Sequence, residues 1–206
     1  MTQSTTVTTR SGGPPRLDPA IVEMLPAQGQ WSEADYLWLT SRTNRLVEYS
    51  DGRVEPLTMP TDKHQAILDF LFVRFREWLL PRRGRARTAG LRVRIADARF
   101  RQPDITVLLD AEDPRRQDSY WLGADLVVEV VSPDDPQRDL VQKRQDYAEA
   151  GITEYWIVDP ATRTILVLTL LGARYVEHGR FRPGEVATSR LLDGFAVDVN
   201  DVLDAD

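Results

Sequence analysis

The chain has 206 residues, 42% hydrophobic and 28% charged, a length that suits one domain with short appendages and a composition that excludes wholesale disorder. It has no cysteine, which excludes disulfides, iron–sulfur clusters and thiolate zinc, and only two histidines, His64 and His178, which argues against a polyhistidine metal site. The formal charge of −6 argues against a general basic coat, and the sequence lacks both a signal-peptide core and an apolar run long enough to span a membrane, so a cytoplasmic protein without membrane contact is expected.

Residues 1–16, rich in Ser and Thr and closed by Gly12, Gly13, Pro14 and Pro15, read as a disordered leader because they offer too little apolar surface to offset ordering entropy. Ser32 is placed as the N-cap of a short helix running to about Leu39. Two runs around Val47 and Val54 flank Ser50, Asp51 and Gly52, and Asp-Gly between apolar runs predicts an antiparallel hairpin. Asp62 is placed as the cap of a long helix, in which Ile67, Leu68, Leu71, Phe72, Phe75, Trp78 and Leu79 recur at helical spacing until Pro81.

An arginine-rich stretch follows, opposed between residues 62 and 101 only by Asp62, Asp69, Glu77 and Asp97. Within it Arg82, Arg83, Arg85 and Arg87 read as a turn that either tracks a nucleic-acid backbone or is simply solvated. Strands are expected over residues 91–95, 105–109 and 124–131, the last apolar enough to be covered on both faces. A helix over residues 139–150 ends at Gly151, and strands follow at residues 155–158, 165–170 and 174–176. The run from Ile165 to Leu171 suits either an internal strand or pairing across a homodimer. The order describes one α/β domain around a mixed sheet.

Two carboxylates stand where a strand would not choose them. Asp104 follows Pro103 at a strand start, and Glu129 interrupts Val127, Val128, Val130 and Val131. A buried carboxylate needs a cation, a donor or a proton, and magnesium takes one or two such oxygens plus water and phosphate. Lys143 lies one helical turn from both Asp139 and Tyr147, so the three share a face that could return over the Glu129 strand. The alternative is an ordinary surface ion pair.

Pro103–Asp104, the Glu129–Val130–Val131–Ser132–Pro133 run, Asp139 with Lys143 and Tyr147, and Glu154 to Asp159 after Gly151 together resemble the Uma2, restriction-endonuclease-like family of the PD-(D/E)XK nuclease superfamily. The resemblance, which runs from about Glu48 to Leu170, implies a four- or five-stranded mixed sheet flanked by helices, following the N-terminal hairpin; a single endonuclease-like domain is expected over residues 17–206. It implies a DNA phosphodiester hydrolase in which Asp104 and Glu129 hold Mg2+, with Mn2+ as a substitute. The superfamily places its lysine two residues after the second acid, and that position is Val131; Lys143 would be the lysine displaced onto the helix. Glu48 is added as a further acid from the hairpin, surface charge being its alternative, and His64 as a contact to phosphate or to metal-bound water. The rival readings are a non-catalytic nucleic-acid-binding or assembly module on the same fold, and a small phosphoester hydrolase.

Overall fold

A computed structural model describes residues 25–133 and 137–206; the leader assigned to residues 1–16 lies outside them. Helix α1 (Glu33–Thr40) starts at Ser32, whose hydroxyl accepts from the Asp35 amide while the Asp35 carboxylate accepts back from Ser32, a reciprocal box that satisfies the first turn. Strands β1 (Val47–Ser50) and β2 (Arg53–Pro56) pair antiparallel. Asp51 and Gly52 connect them with φ of 49° and 82°, the left-handed pair that a tight hairpin requires.

Helix α2 (Asp62–Leu79) is capped by Thr61 rather than Asp62: Thr61 is extended and its hydroxyl accepts from the His64 amide, which makes Asp62 the first helical residue. A 3-10 turn (Leu80–Arg82) and Arg83 in the left-handed region end it. The chain then enters β3 (Arg85–Thr88), so half of the expected arginine turn is a strand. Its Arg-Ala-Arg-Thr alternation buries only Ala86, a charged pattern that suits a sheet edge. Strands β4 (Val93–Ala96), β5 (Arg99–Arg101), β6 (Ile105–Leu108) and β7 (Leu126–Val130) follow. A π turn (Arg138–Gln142) runs into α3 (Lys143–Glu149), and β8 (Glu154–Asp159), β9 (Thr164–Leu171), β10 (Arg174–Phe181), β11 (Val186–Thr188), β12 (Ala196–Asp198) and α4 (Val199–Leu203) complete the chain.

The main sheet has six strands, one or two more than the resemblance implied, in the order β10-β9-β8-β7-β6-β3. Only β7 and β8 are parallel, as the helical crossover through α3 demands. The second sheet, β2-β1-β5-β4, is antiparallel, and β11-β12 form a ribbon. Strand β9 is hydrogen-bonded to β8 and β10 on its two sides, so the Ile165 run is internal and has no edge to offer a second copy.

All five residues of β7 are buried, which fits its near-continuous apolar sequence. Leu126, Val128 and Val130 face one core with Ile67, Leu71 and Phe75 of α2. Val127 and Val131 face the other, with Tyr147 of α3 and Val93 of β4. Strand alternation therefore puts Glu129 on the α3 side. A third cluster stacks Tyr36 of α1 on Tyr49 of β1 and closes on Phe100. Because Tyr49 and Phe100 face that cluster, their neighbours Glu48 and Arg101 turn the other way, toward α3.

Candidate active site

The β6–β7 register pairs Ile105 with Val128, which brings Asp104 level with Glu129. Asp104 Oδ2 accepts from the Val130 amide at 2.7 Å, and Oδ1 lies 3.2 Å from His64 Nε2 at the start of α2. Both side chains keep a solvent-facing rim, whereas Glu129 and Lys143 are buried.

Lys143 Nζ lies 2.8 Å from Glu129 Oε2, 3.0 Å from Asp139 Oδ1 and 3.9 Å from Glu48 Oε1. The Tyr147 hydroxyl donates to Glu129 Oε1 at 2.5 Å. The π turn supplies the local geometry: the Lys143 amide donates to the Arg138 carbonyl, five residues back, and the helix then continues with Asp139, Lys143 and Tyr147 all turned inward. The Tyr155 hydroxyl fixes that turn by donating to the Asp139 carbonyl at 2.9 Å.

Glu48 is wholly buried and saturated with donors. Its Oε1 accepts from the Gln102 amide at 3.0 Å, and Oε2 takes Arg138 at 2.5 Å and Arg101 at 3.4 Å. Surface hairpin charge describes Glu55 instead, which is exposed and, among the described residues, ion-pairs with Arg138 alone. Arg101 also holds Asp146 with two donors at 2.6 and 2.9 Å. The small sheet is thereby clasped to α3 through buried ion pairs.

The charges divide accordingly. Burial opposes ionisation of Glu48, but Lys143, Arg101 and Arg138 outweigh it and hold its pKa at about 2. Burial pushes the Glu129 carboxyl well above the usual range, and the charges of Asp104 and Asp139 add to the rise that Lys143 opposes. Asp139 is raised by burial against the pull of Lys143. Burial disfavours the Lys143 ammonium too, yet Glu129, Glu48 and Asp139 raise its pKa above the ordinary lysine range. With Glu48 neutralised by two arginines, three carboxylates face one lysine.

Hard carboxylate oxygens suit a divalent cation, and Asp104 and Glu129, brought level on neighbouring strands, could hold one. Among the described residues no group of three or more His, Cys, Asp or Glu side chains is arranged around a common metal position. The fit therefore rests on two carboxylates, the usual protein share for magnesium.

The structure thus brings together Asp104, Glu129, Lys143, Glu48 and His64. Of the four arginines expected to track a nucleic-acid backbone, Arg82 and Arg83 end the turn after α2, Arg85 pairs with Leu108 at the far end of β6 from Asp104, and Arg87 pairs with Thr106, two residues from Asp104. Arg82 stacks on Trp78 at 4.1 Å. Sequence reasoning did not assign Arg101, Arg138, Asp146 or Gln102 to the site. Arg101 and Gln102 immediately precede Pro103–Asp104, and that adjacency was the available signal, but only the folded sheet shows which arginines of the basic stretch turn inward.

No helix among the described residues is long and apolar enough to cross a membrane. No curated protein matches the chain. Among solved structures, one described as "a putative nuclease belonging to DUF820", from Anabaena variabilis, superimposes with a TM-score of 0.68 at 22% identity, over 79% of this chain and 92% of that one. It establishes a shared fold, an α/β architecture of the restriction-endonuclease-like kind. The sequence profile of Uma2, described as "Putative restriction endonuclease", matches residues 33–200, a span that contains every element from α1 to the start of α4 and all the carboxylates above: the chain belongs to the Uma2 family.

Proposed function

We propose that the protein is a magnesium-dependent endonuclease that hydrolyses DNA phosphodiester bonds. The observation that carries this reading is the meeting of Lys143 with Glu129 at 2.8 Å, from a helix rather than from the strand position held by Val131. Asp104 and Glu129 would hold the metal, which supplies Lewis-acid chemistry at a phosphate oxygen when bound. Lys143 donates toward the attacking water and opposes the charge that develops on the phosphate, its ammonium kept protonated by the surrounding carboxylates. Tyr147 fixes the Glu129 carboxylate by donating to its second oxygen, and His64 orients Asp104. Glu48 acts as a positioning residue, since Gln102, Arg101 and Arg138 occupy its oxygens.

Incubating purified protein with supercoiled plasmid and magnesium or manganese tests the proposal. Nicked or linear product that disappears with Asp104→Asn supports it. A second reading, a nucleic-acid-binding module without turnover, draws on one observation: Val130 and His64 already engage both Asp104 oxygens, and Lys143 and Tyr147 both Glu129 oxygens. It predicts plasmid binding with no product under any metal.

A further inference from the structure

Arginines of the basic stretch, and Arg116 beyond it, meet different fates in the fold. Arg74, Arg94, Arg99 and Arg101 each hold a carboxylate, at 3.2, 3.1, 3.1 and 2.6 Å. Arg76, Arg85, Arg87 and Arg116, by contrast, are ion-paired with no carboxylate among the described residues. Three of these four line one cleft of about 290 Å³, between the last turns of α2 and the free edge of β3, floored by Phe72, Leu79 and Gly84. Burial and then the neighbouring charges of Arg116, Arg85 and Arg76 depress the pKa of the Arg87 guanidinium. Like charges crowded without a counter-charge repel one another, and an anion between them removes that cost.

Strand β3 ends the main sheet, so one of its sides has no partner strand. Arg85 and Arg87, two apart, project to the same face of it. Arginine forks fit phosphate oxygens in a planar, two-donor geometry. Along β6 the cleft runs away from the carboxylates: Arg87 pairs with Thr106 and Arg85 with Leu108, two and four residues from Asp104, roughly 7 and 13 Å by strand rise.

We propose that Arg76, Arg85, Arg87 and Arg116 form a metal-independent phosphate-binding edge that grips the backbone of a nucleic-acid duplex beyond the position of cleavage. The proposal rests on the nuclease reading for the identity of the polyanion. A duplex carries a charge about every 1.7 Å of its axis, so phosphates flanking the reacting one come within reach of this edge.

The test is fluorescence anisotropy with the full chain and a labelled duplex, in EDTA, over a range of salt concentrations. In the variant carrying Arg76→Gln, Arg85→Gln, Arg87→Gln and Arg116→Gln, low-salt affinity should fall by at least about tenfold, and the log–log salt slope should flatten by about 2 to 4. The exposed single variant Arg116→Glu should flatten it by about 1, which keeps the test decisive if the quadruple variant fails to fold. A control that removes ion-paired surface arginines, Arg74→Gln, Arg163→Gln and Arg180→Gln, should leave the slope nearly unchanged. Inorganic phosphate and ATP serve as competitors. If they bind tightly while the duplex does not, the edge serves a free phosphate compound and the proposal is overturned. Equal weakening in control and variant, or no duplex binding by the parent, also overturns it. Binding that follows these predictions in a protein that cuts no plasmid would remove the nuclease reading and leave this edge standing.

Discussion

Lys143, on α3, places its ammonium 2.8 Å from the carboxylate of Glu129, on β7, although the superfamily pattern puts lysine on the same strand as the acid, two residues on. Val131 occupies that strand position and is itself buried, in a cluster with Tyr147, Ile152 and Ile157. A lysine at 131 would project on the same side as Glu129 but into this apolar layer. The π turn before α3 brings the Lys143 ammonium to Glu129 from the helix instead, with Asp139 held beside it at 3.0 Å.

Metal binding should depend jointly on Asp104 and Glu129. Calorimetric titration with manganese should lose most of its heat in Asp104→Ala and in Glu129→Ala. Because burial and neighbouring carboxylates raise the Glu129 pKa, protons compete with the metal. Affinity should therefore fall as pH drops through the raised value, with proton release measurable by repeating the titration in buffers of different ionisation enthalpy. Unchanged heats in both variants would remove these carboxylates from the metal site.

Much of this was legible in the sequence, for identifiable reasons. The long helix α2 and the buried strand β7 follow from their apolar periods. The Asp51–Gly52 hairpin follows from the positive φ that its turn requires, and the convergence of Asp139, Lys143 and Tyr147 follows from helical spacing. Strand β3 was hidden because Arg85 and Arg87 read as turn charge, whereas an edge strand tolerates that charge on its open side. Strands β5, β11 and β12 were hidden by their length, three residues each. The clasp of Glu48 with Arg101 and Arg138 is a tertiary relationship between three distant segments, and no local pattern encodes which arginine goes inward.

Glu48 should govern part of the acid stability. Its pKa is about 2 in the folded state against an ordinary 4.5, so its ionised form stabilises the fold fully above the ordinary value. That contribution, about 3 kcal/mol by linkage, is lost as pH falls from about 4.5 toward 2. Glu129, with a raised pKa, has the opposite sign: its charged form costs stability near neutrality, and protonation relieves the cost. Comparing parent and Glu48→Gln by denaturant unfolding between pH 7 and pH 2 isolates the Glu48 part. The variant should be less stable at pH 7 by about 3 to 5 kcal/mol, because Arg101 and Arg138 lose a buried partner, and the gap should narrow toward pH 2. A gap that is constant with pH would contradict the assignment.

Gly84 should resist even a methyl group. A Cβ there would meet Leu79 Cδ2 at 2.6 Å and the Leu108 carbonyl at 3.2 Å, where α2 packs on the β3–β6 pair. Gly84→Ala should cost about 1 to 3 kcal/mol of unfolding free energy through overpacking. Thermal unfolding followed by circular dichroism measures it, and a melting temperature equal to the parent's would show that the α2 end yields.

The measurement that bears most directly on the central claim is cleavage of supercoiled plasmid in magnesium by the parent, Lys143→Ala and Lys143→Arg, with manganese calorimetry and circular dichroism on the same preparations. If Lys143 serves the reaction from α3, the parent nicks or linearises the plasmid and Lys143→Ala does not, while keeping its fold and most of its metal affinity. Lys143→Arg should restore little, because a planar fork does not reproduce a compact ammonium between Glu129 and Asp139. Cleavage by Lys143→Ala at the parent's rate would contradict the account.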